Sequence, residues 1–466
     1  MLSQAVAEFP TGDGRADVWT IDDILKGVMV FGGTGSGKTS GSGRFLAESF
    51  LDLGFGGLVL TVKADEVDSW RKYARATGRD NDLIVIEENS GHYFNFLDYE
   101  ASRTGKGAAM TDNIYRIFSE IKELITDNKQ TGGDPHWANS AEKMFKSAVD
   151  ILLFSRKNLS VDEIQMIVNS APTSLKKAKK IVGDPSNFLN ACLEHALKMM
   201  NQKPALAQSQ AAKDVARARI YFLEQYPRMA DNERSGVVST FNTFLDPLLR
   251  GLTYKLLCSG TNIKPDDSFN GKIIVVNLPI NTYQKAGKVV QVVWKYMWQQ
   301  AVLRRTIVSN SRPVFLWADE AQQLITKSDR RFLNVERGLR ATTVYLTQNM
   351  HNLYDELEKS NADALLAAFQ NYIFHANNDH TTNEWAANKI AKVWTDSTSV
   401  NISGQANSMG VNIGESHRFK VEPNIFASLP NGGQANDYLV GAVVLRASTP
   451  WLDNDTFHRL VYFDQS

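Results

Sequence analysis

The chain has 466 residues, 43% hydrophobic and 22% charged, an ordinary globular balance with room for a large core and two or three domains. Its 51 basic and 51 acidic residues cancel, so net charge neither marks nor excludes a nucleic-acid partner, and only local clustering would count. Two isolated cysteines, Cys192 and Cys258, make neither a disulfide framework nor a zinc site and fit a reducing cytoplasm; residues 1–20 lack a signal-peptide pattern, and no window approaches the roughly 20 apolar residues of a membrane helix, so the chain as given reads as soluble.

The first apolar run, "GVMVFG" (27–32), leads into "GGTGSGKTSGSG" (32–43) and then the helical pattern "SGRFLAESFLDLG". Gly32, four residues, then Gly37-Lys38-Thr39 fit the Walker A pattern in its expected strand–loop–helix setting. Here Gly32, Gly33, Thr34, Gly35, Ser36 and Gly37 would cradle phosphates with backbone N–H groups. The following helix start adds its positive end. Lys38 would reach the β- and γ-phosphates of ATP, and the Thr39 hydroxyl would ligate Mg²⁺. A chance match in a chain of this size is on the order of one in fifty before that setting is considered. Gly41 and Gly43 weaken the helix that follows; a close neighbour against its first turn is one explanation.

Further strands are expected at "GGLVLTVK" (56–63) and "DLIVIE" (82–87). Residues 101–245 then change character: strand-like runs thin out, and "SAEKMFKSAVDILLF" and "AQSQAAKDVARARIYFLEQ" read as helices. "SVDE" (160–163) reads as a capping box, and "LKKAKK" (175–180) as a solvated helix face. This predicts an all-helical insert, with domains at 1–100, 101–245 and 246–466, the outer two forming one α/β domain. Strands resume at 272–279, 313–320, 342–349, 371–378 and 441–448, mostly as continuous apolar runs that suit a parallel sheet covered on both faces. Between the first two, Val290, Val293, Met297 and Ala301 mark one face of a helix over 286–305. The polar, glycine-rich stretch 401–417 reads as a mobile loop.

"VFLWADEAQQL" (314–324) places two carboxylates at the end of an apolar strand, a costly position unless something charged lies there. Asp319 would hold Mg²⁺ and Glu320 would polarise the attacking water. Gln348 ends the next strand, where its amide would sense the nucleotide or position water. Between them stand Arg330, Arg331, Arg337 and Arg340. An arginine finger across a subunit boundary would come first from Arg337 and second from Arg340. The eight histidines show no metal-ligand spacing, and no GxSxG elbow is present.

Taken in order, "VFGGTGSGKT", "GGLVLTVKADEVDSW", "FNFLD", "DPHWANSAEKMFKSAVDIL", "GKIIVVNLP", "VFLWADEAQQL", "ERGLRATTVYLTQN", "LLAAFQNYIFHANNDHTTNEWAANKIA" and "FASLPNGGQAN…VGAVVL" resemble the conjugative coupling-protein family of type IV secretion (TraG/TraD-like), within the FtsK/HerA group of RecA-like motors. The resemblance implies an α/β RecA-like P-loop fold with a mostly parallel sheet and an inserted all-α domain that receives substrate. It implies a hexameric homo-oligomer with ATP at subunit boundaries, DNA in a central channel, and secretion-channel or relaxosome proteins as partners. Lys38 and Thr39 match its Walker A pair, Asp319 and Glu320 its Walker B pair, Gln348 its sensor and Arg337 the arginine ahead of it. Two departures stand out. The family's typical N-terminal membrane helices are not in this sequence, which leaves a truncated chain, a soluble variant recruited by a partner and a relative used elsewhere as the readings; the expected location is cytoplasmic, with the inner membrane face reached through a partner. "VKADEVDSW" replaces an Asp-Pro-Lys-Gly-like turn, with Lys63, Asp65 and Glu66 keeping the charge pattern. The expected activity is ATP-driven movement of DNA or a DNA–protein complex. A DNA translocase of repair, partition or defence, and a nucleotide-gated scaffold, are the alternatives.

Overall fold

In the computed structural model, which describes the chain outside residues 12–13, 106, 126–134, 156–158, 404–407, 447–448 and 453–455, thirteen strands are assigned. They are β1 (Ala5–Pro10), β2 (Ala16–Thr20), β3 (Val28–Phe31), β4 (Gly56–Leu60), β5 (Leu83–Ile86), β6 (Ile273–Val276), β7 (Val314–Ala318), β8 (Ala341–Thr347), β9 (Asn371–Phe374), β10 (Lys392–Ser403), β11 (Ser408–Phe419), β12 (Leu439–Arg446) and β13 (His458–Asp464). Nine form one sheet in the order β13-β12-β9-β3-β8-β7-β4-β6-β5. The run from β9 through β3, β8 and β7 to β4 is parallel, while β12 pairs antiparallel with both β9 and β13. Every residue of β3, β4, β7, β8 and β9 is buried, which is why β3, β4 and β7 read as unbroken apolar runs, while β8 carries buried threonines and β9 a buried Asn371.

The sheet order matters more than its size. β8 lies between β3 and β7, and the register sets Phe31 opposite Thr347 and Ala318 opposite Tyr345. β3 and β8 therefore end level and β7 ends two residues earlier, so the residues that leave them, Gly32, Gln348 and Asp319-Glu320, emerge along one edge. Ligand sites of open parallel sheets form at that edge.

The chain divides into two compact units and crosses between them within β5, between Asp267 and Ser268, within β6 and near the end of the helix Ile280–Arg304. The first comprises Met1–Ile84, Ser268–Ile274 and Val302–Ser466. Its helix Glu66–Ala76 packs on β7 through Trp70, stacked on Phe315 at 5.5 Å and edge-on to Trp317 at 5.4 Å. The buried carboxylate Asp17 on β2 pairs with Arg459 at 2.7 Å and Arg446 at 3.8 Å, so the charge it places in the interior is matched.

The second unit, Val85–Asp267 with Val275–Ala301, contains the helices of residues 101–245. Its central helix Pro135–Ser155 buries Met144, Phe145, Ala148, Val149, Ile151 and Leu152. Ser160 accepts the Glu163 N–H and starts the next helix, as its position in "SVDE" leads one to expect. Lys176, Lys177, Lys179 and Lys180 of the helix Leu175–Ile181 face solvent, and only Ala178 there is buried. In the helix Ile280–Arg304, broken at Gln284, the expected face of Val290, Val293, Met297 and Ala301 is buried, and so are Val292, Trp294, Trp298 and Val302.

The stretch 401–417, expected as a mobile loop, is instead strand on both sides of residues 404–407. β10 and β11 pair antiparallel from Lys392↔Phe419 to Ser403↔Ser408. The two-residue alternation of Val400 and Ile402, then Met409, Val411 and Ile413, carries this hairpin, but glycine and asparagine dilute it. Among the described residues no helix is long and apolar enough to cross a membrane.

Candidate nucleotide-hydrolysis site

β3 runs directly into the loop Gly32–Thr39. Gly35 and Gly37 adopt φ of +73° and +79°, the left-handed region that glycine enters without penalty. Such a curl turns successive N–H groups toward a phosphate. The trailing glycines are explained by close approach. A Cβ on Gly37 would lie 2.6 Å from Val440 Cγ2, and one on Gly41 3.0 Å from Val440 Cβ. The Gly43 N–H donates to the Lys38 carbonyl five residues back at 2.8 Å, opening a widened helical turn over Thr39–Gly43 before the regular helix Arg44–Asp52 begins.

Thr39 Oγ1 donates to Asp319 Oδ2 at 2.6 Å, although 280 residues separate them. Asp319 leaves the end of β7 buried, and its other oxygen accepts the Glu320 N–H at 2.8 Å. Glu320 sits in the left-handed region at φ 50°, ψ 45°, which costs a non-glycine residue about 1–2 kcal/mol. Its surroundings hold it there. Lys63 Nζ lies 2.9 Å and Lys38 Nζ 3.6 Å from Oε1, Gln322 Nε2 donates to Oε2 at 2.9 Å, and Gln348 Nε2 reaches both oxygens at 3.2 and 3.3 Å. Burial raises the Glu320 pKa, but Gln322, Lys63, Lys38 and Gln348 together outweigh it and hold the carboxyl down at about 2. A carboxylate held ionised this way accepts hydrogen bonds only.

Gln348 also meets the phosphate loop, where Thr34 Oγ1 donates to its Oε1 at 3.4 Å. One amide thus spans loop and carboxylate, the place β8 gives it between β3 and β7. Gln322, in turn, accepts from Thr347 Oγ1 at 2.9 Å.

Four site residues were not singled out by motif. Lys63, noted only as part of a substituted turn, is one of two cations on Glu320; burial lowers its pKa, but Asp319 and Glu320 raise it further. Glu66 accepts the N–H groups of Val62 and Lys63 at 3.1 and 3.0 Å and fixes that turn. Burial and the charge of Asp319 push the Glu66 pKa up to about 8. Finally, Ser42 Oγ lies 2.7 Å from His375 Nε2, and His375 Nδ1 lies 3.1 Å from the Gly441 carbonyl. A carbonyl only accepts, so Nδ1 carries the proton and Nε2 accepts from Ser42. Burial pulls the His375 pKa down to about 4 and keeps the ring neutral. The widened turn after the phosphate loop is thereby tied to β9 and β12. No spacing rule could find a serine and a histidine 333 residues apart.

Arg337 is elsewhere in its own chain. It pairs with Asp22 at 2.9 Å and is 56% exposed. Arg340, at φ 49°, donates to the carbonyls of Ser309 and Ser311.

The residues fit ATP and Mg²⁺ on grounds internal to the site. Thr39 and Asp319 present two hard oxygens together, the donor type Mg²⁺ takes. Ser36 Oγ is buried in the loop with no hydrogen-bond partner among the described residues, a polar atom left for something else to satisfy. Lys38 is 6% exposed, and its Nζ lies 3.6 Å from Glu320 Oε1.

A glycine-curled loop after one parallel strand, paired carboxylates after the next strand but one, and an amide from the strand between define a RecA-like P-loop ATPase fold. Residues 7–463 match the family model described as Type IV secretory system Conjugative DNA transfer, and the chain belongs to that family. The unbound bacterial conjugative coupling protein TrwBdeltaN70 is 15% identical, with a TM-score of 0.61 over 100% of this chain and 90% of its own. The plasmid coupling protein TrwB in complex with ADP and Mg²⁺ is 15% identical, with a TM-score of 0.62 over 100% and 90%. VirB4 of Thermoanaerobacter pseudethanolicus is 12% identical, with a TM-score of 0.51 over 99% and 96%. No curated protein sequence matches the chain.

Proposed function

We propose that this protein is an ATP-hydrolysing ring motor that moves DNA, alone or joined to protein, in conjugative transfer. The observation that carries the reading is the convergence of Thr39 with Asp319 and of Lys38, Lys63 and Gln348 with Glu320 at one edge of the sheet. ATP and Mg²⁺ supply, when bound, a phosphoanhydride and the cation that neutralises its charge. Residues Gly32 to Gly37 hold the phosphates, Lys38 neutralises them, and Thr39 and Asp319 hold the metal. Glu320, ionised and acceptor-only, orients a water and takes its proton, and Gln348 keeps the carboxylate aimed. The capture of TrwB with ADP and Mg²⁺ and with an ATP analogue supports this choice of nucleotide.

DNA as the cargo follows from the family to which the chain belongs. The ring, taken as a hexamer, gives the exposed Arg337 a task, completing the site of a neighbouring subunit. The helical part over 101–245 receives substrate and its relaxosome or secretion-channel partners. In support, it holds two clefts of about 700 Å³ that share Lys146, Asp150 and Asp214.

The test is steady-state ATP hydrolysis with and without single- and double-stranded DNA. Stimulation by DNA is expected. ATP-dependent oligomerisation without any stimulation would replace the motor with a nucleotide-gated scaffold.

A further inference from the structure

Ten residues beyond Glu320, the chain forms a second site that the hydrolytic chemistry does not use. After the turn Ala321–Gln323, Thr326 starts the short helix Lys327–Leu333, with Asp329 closing a capping box. Facing it is the helix Lys359–Leu366. Between them lies a cleft of about 390 Å³. Its cations are Lys327, Arg330 and Arg331; its neutral polar groups are Thr326, Asn334 and Asn361. Leu357 and Leu365 complete the wall, and no carboxylate lines it.

That imbalance is unusual in a chain whose 51 bases match 51 acids. Elsewhere in this unit several cations are paired with carboxylates, as Lys63 is with Glu320, Arg79 with Asp82, Arg337 with Asp22 and Arg459 with Asp17, and others, such as Arg305, Arg312 and Arg340, donate to backbone carbonyls. Among the described residues neither Arg330 nor Arg331 is paired with a carboxylate, and both side chains are exposed. Two unneutralised guanidinium groups beside asparagine amides make a receptor for a polyanion that presents oxygens in sequence. A phosphodiester backbone has that form, because arginine forks match phosphate oxygens and amides add neutral donors. With only two leucines and no aromatic ring in the lining, the cleft offers bases no stacking platform. It suits backbone contact without sequence preference.

We propose that this cleft grips the DNA backbone through Arg330 and Arg331. The inference rests on the DNA-motor reading and adds to it the place of contact. It also gives a physical route from cargo to chemistry. Glu320 and Arg330 are joined by one short turn, and Gln322 within that turn holds the catalytic carboxylate at 2.9 Å. A phosphate that draws on the helix Lys327–Leu333 pulls on the segment that sets Glu320.

The experiment measures binding of labelled single-stranded and duplex oligonucleotides by fluorescence anisotropy over a series of salt concentrations, on the full chain. Each phosphate contact contributes about 0.7 to 0.9 to the slope of log affinity against log salt, so Arg330→Gln/Arg331→Gln is expected to lower that slope by about 1.4 to 1.8 and to do so equally for unrelated sequences. Arg330→Lys/Arg331→Lys should keep the slope, and Arg71→Gln/Arg75→Gln, cations already paired with Asp68 and Asp80, should leave it unchanged. The thermal midpoint of each variant controls for folding. If the double glutamine variant binds with the wild-type slope, the cleft is not the grip, and the motor reading survives. If the wild-type protein binds neither oligonucleotide, the motor reading falls and the cleft proposal with it.

Discussion

Thr39 Oγ1 and Asp319 Oδ2 stand 2.6 Å apart beyond the carboxyl ends of β3 and β7, with β8 between those strands. Each belongs to a motif that is weak alone; their contact makes one site of the two. On the proposed assignment of both oxygens to the metal, Asp319→Asn is expected to weaken Mg²⁺-dependent nucleotide binding and to cut ATP turnover at least a hundredfold. Titration of turnover with Mg²⁺ checks this: the variant should need far more metal, and a wild-type metal dependence would refute the assignment.

The Ser42–His375–Gly441 chain sets the position of the phosphate-loop helix. His375→Ala leaves a cavity and strips the buried Ser42 hydroxyl of its 2.7 Å partner, and is expected to cost about 2–4 kcal/mol of stability and to raise KM for ATP more than it lowers kcat. Ser42→Ala should weaken the same step, and the two changes together should cost less than their sum. The nitrogen shifts of His375 should report an Nδ1–H neutral ring that protonates only near pH 4.

Glu336 is fully buried; burial pushes its pKa up, against hydrogen bonds from the Thr343 hydroxyl at 2.6 Å and N–H at 3.2 Å, with Asp329 adding to the rise, to about 8. A carboxyl raised in the fold binds its proton more tightly there than in the unfolded chain. Its contribution to stability is therefore complete below the unfolded value near 4.5 and is lost as pH rises through about 8. Relative to Glu336→Gln, the wild-type protein should lose up to about 1.4 kcal/mol per pH unit across that interval. Denaturant midpoints of the two proteins at a series of pH values measure it, and parallel curves would count against the buried acid.

Arg337 makes only an exposed pair with Asp22, worth at most about 1 kcal/mol. Arg337→Ala is thus expected to unfold at nearly the wild-type temperature, yet to lose about a thousandfold in turnover if it completes a neighbour's site. Mixing Arg337→Ala with Lys38→Ala subunits should restore part of the activity, because some boundaries then join an intact loop to an intact arginine. No recovery on mixing would remove the role across subunits.

The parallel sheet was legible in the sequence because strands such as Val28–Phe31 and Val314–Ala318 are buried on both faces and need no polar residues. The phosphate loop and the two carboxylates were legible because their chemistry restricts residue type at fixed spacing. What escaped depended on distance along the chain. Lys63 neutralises Glu320 from 257 residues away, His375 receives Ser42 from 333, and Val440 explains Gly37 and Gly41 from another strand. The β10–β11 hairpin escaped for a local reason, since its alternation is diluted by glycine and asparagine. The strand order, which brings Gln348 between the two motifs, is a property of the closed fold and not of any segment.

The central claim is that Glu320 is the base of an ATP-hydrolysing site. The most direct measurement is ATP binding and single-turnover hydrolysis by Glu320→Gln beside the wild-type protein. The amide keeps the shape of the side chain but cannot take a proton, so ATP should bind with undiminished affinity while hydrolysis falls about a hundredfold to ten-thousandfold. Hydrolysis at the wild-type rate would contradict the account.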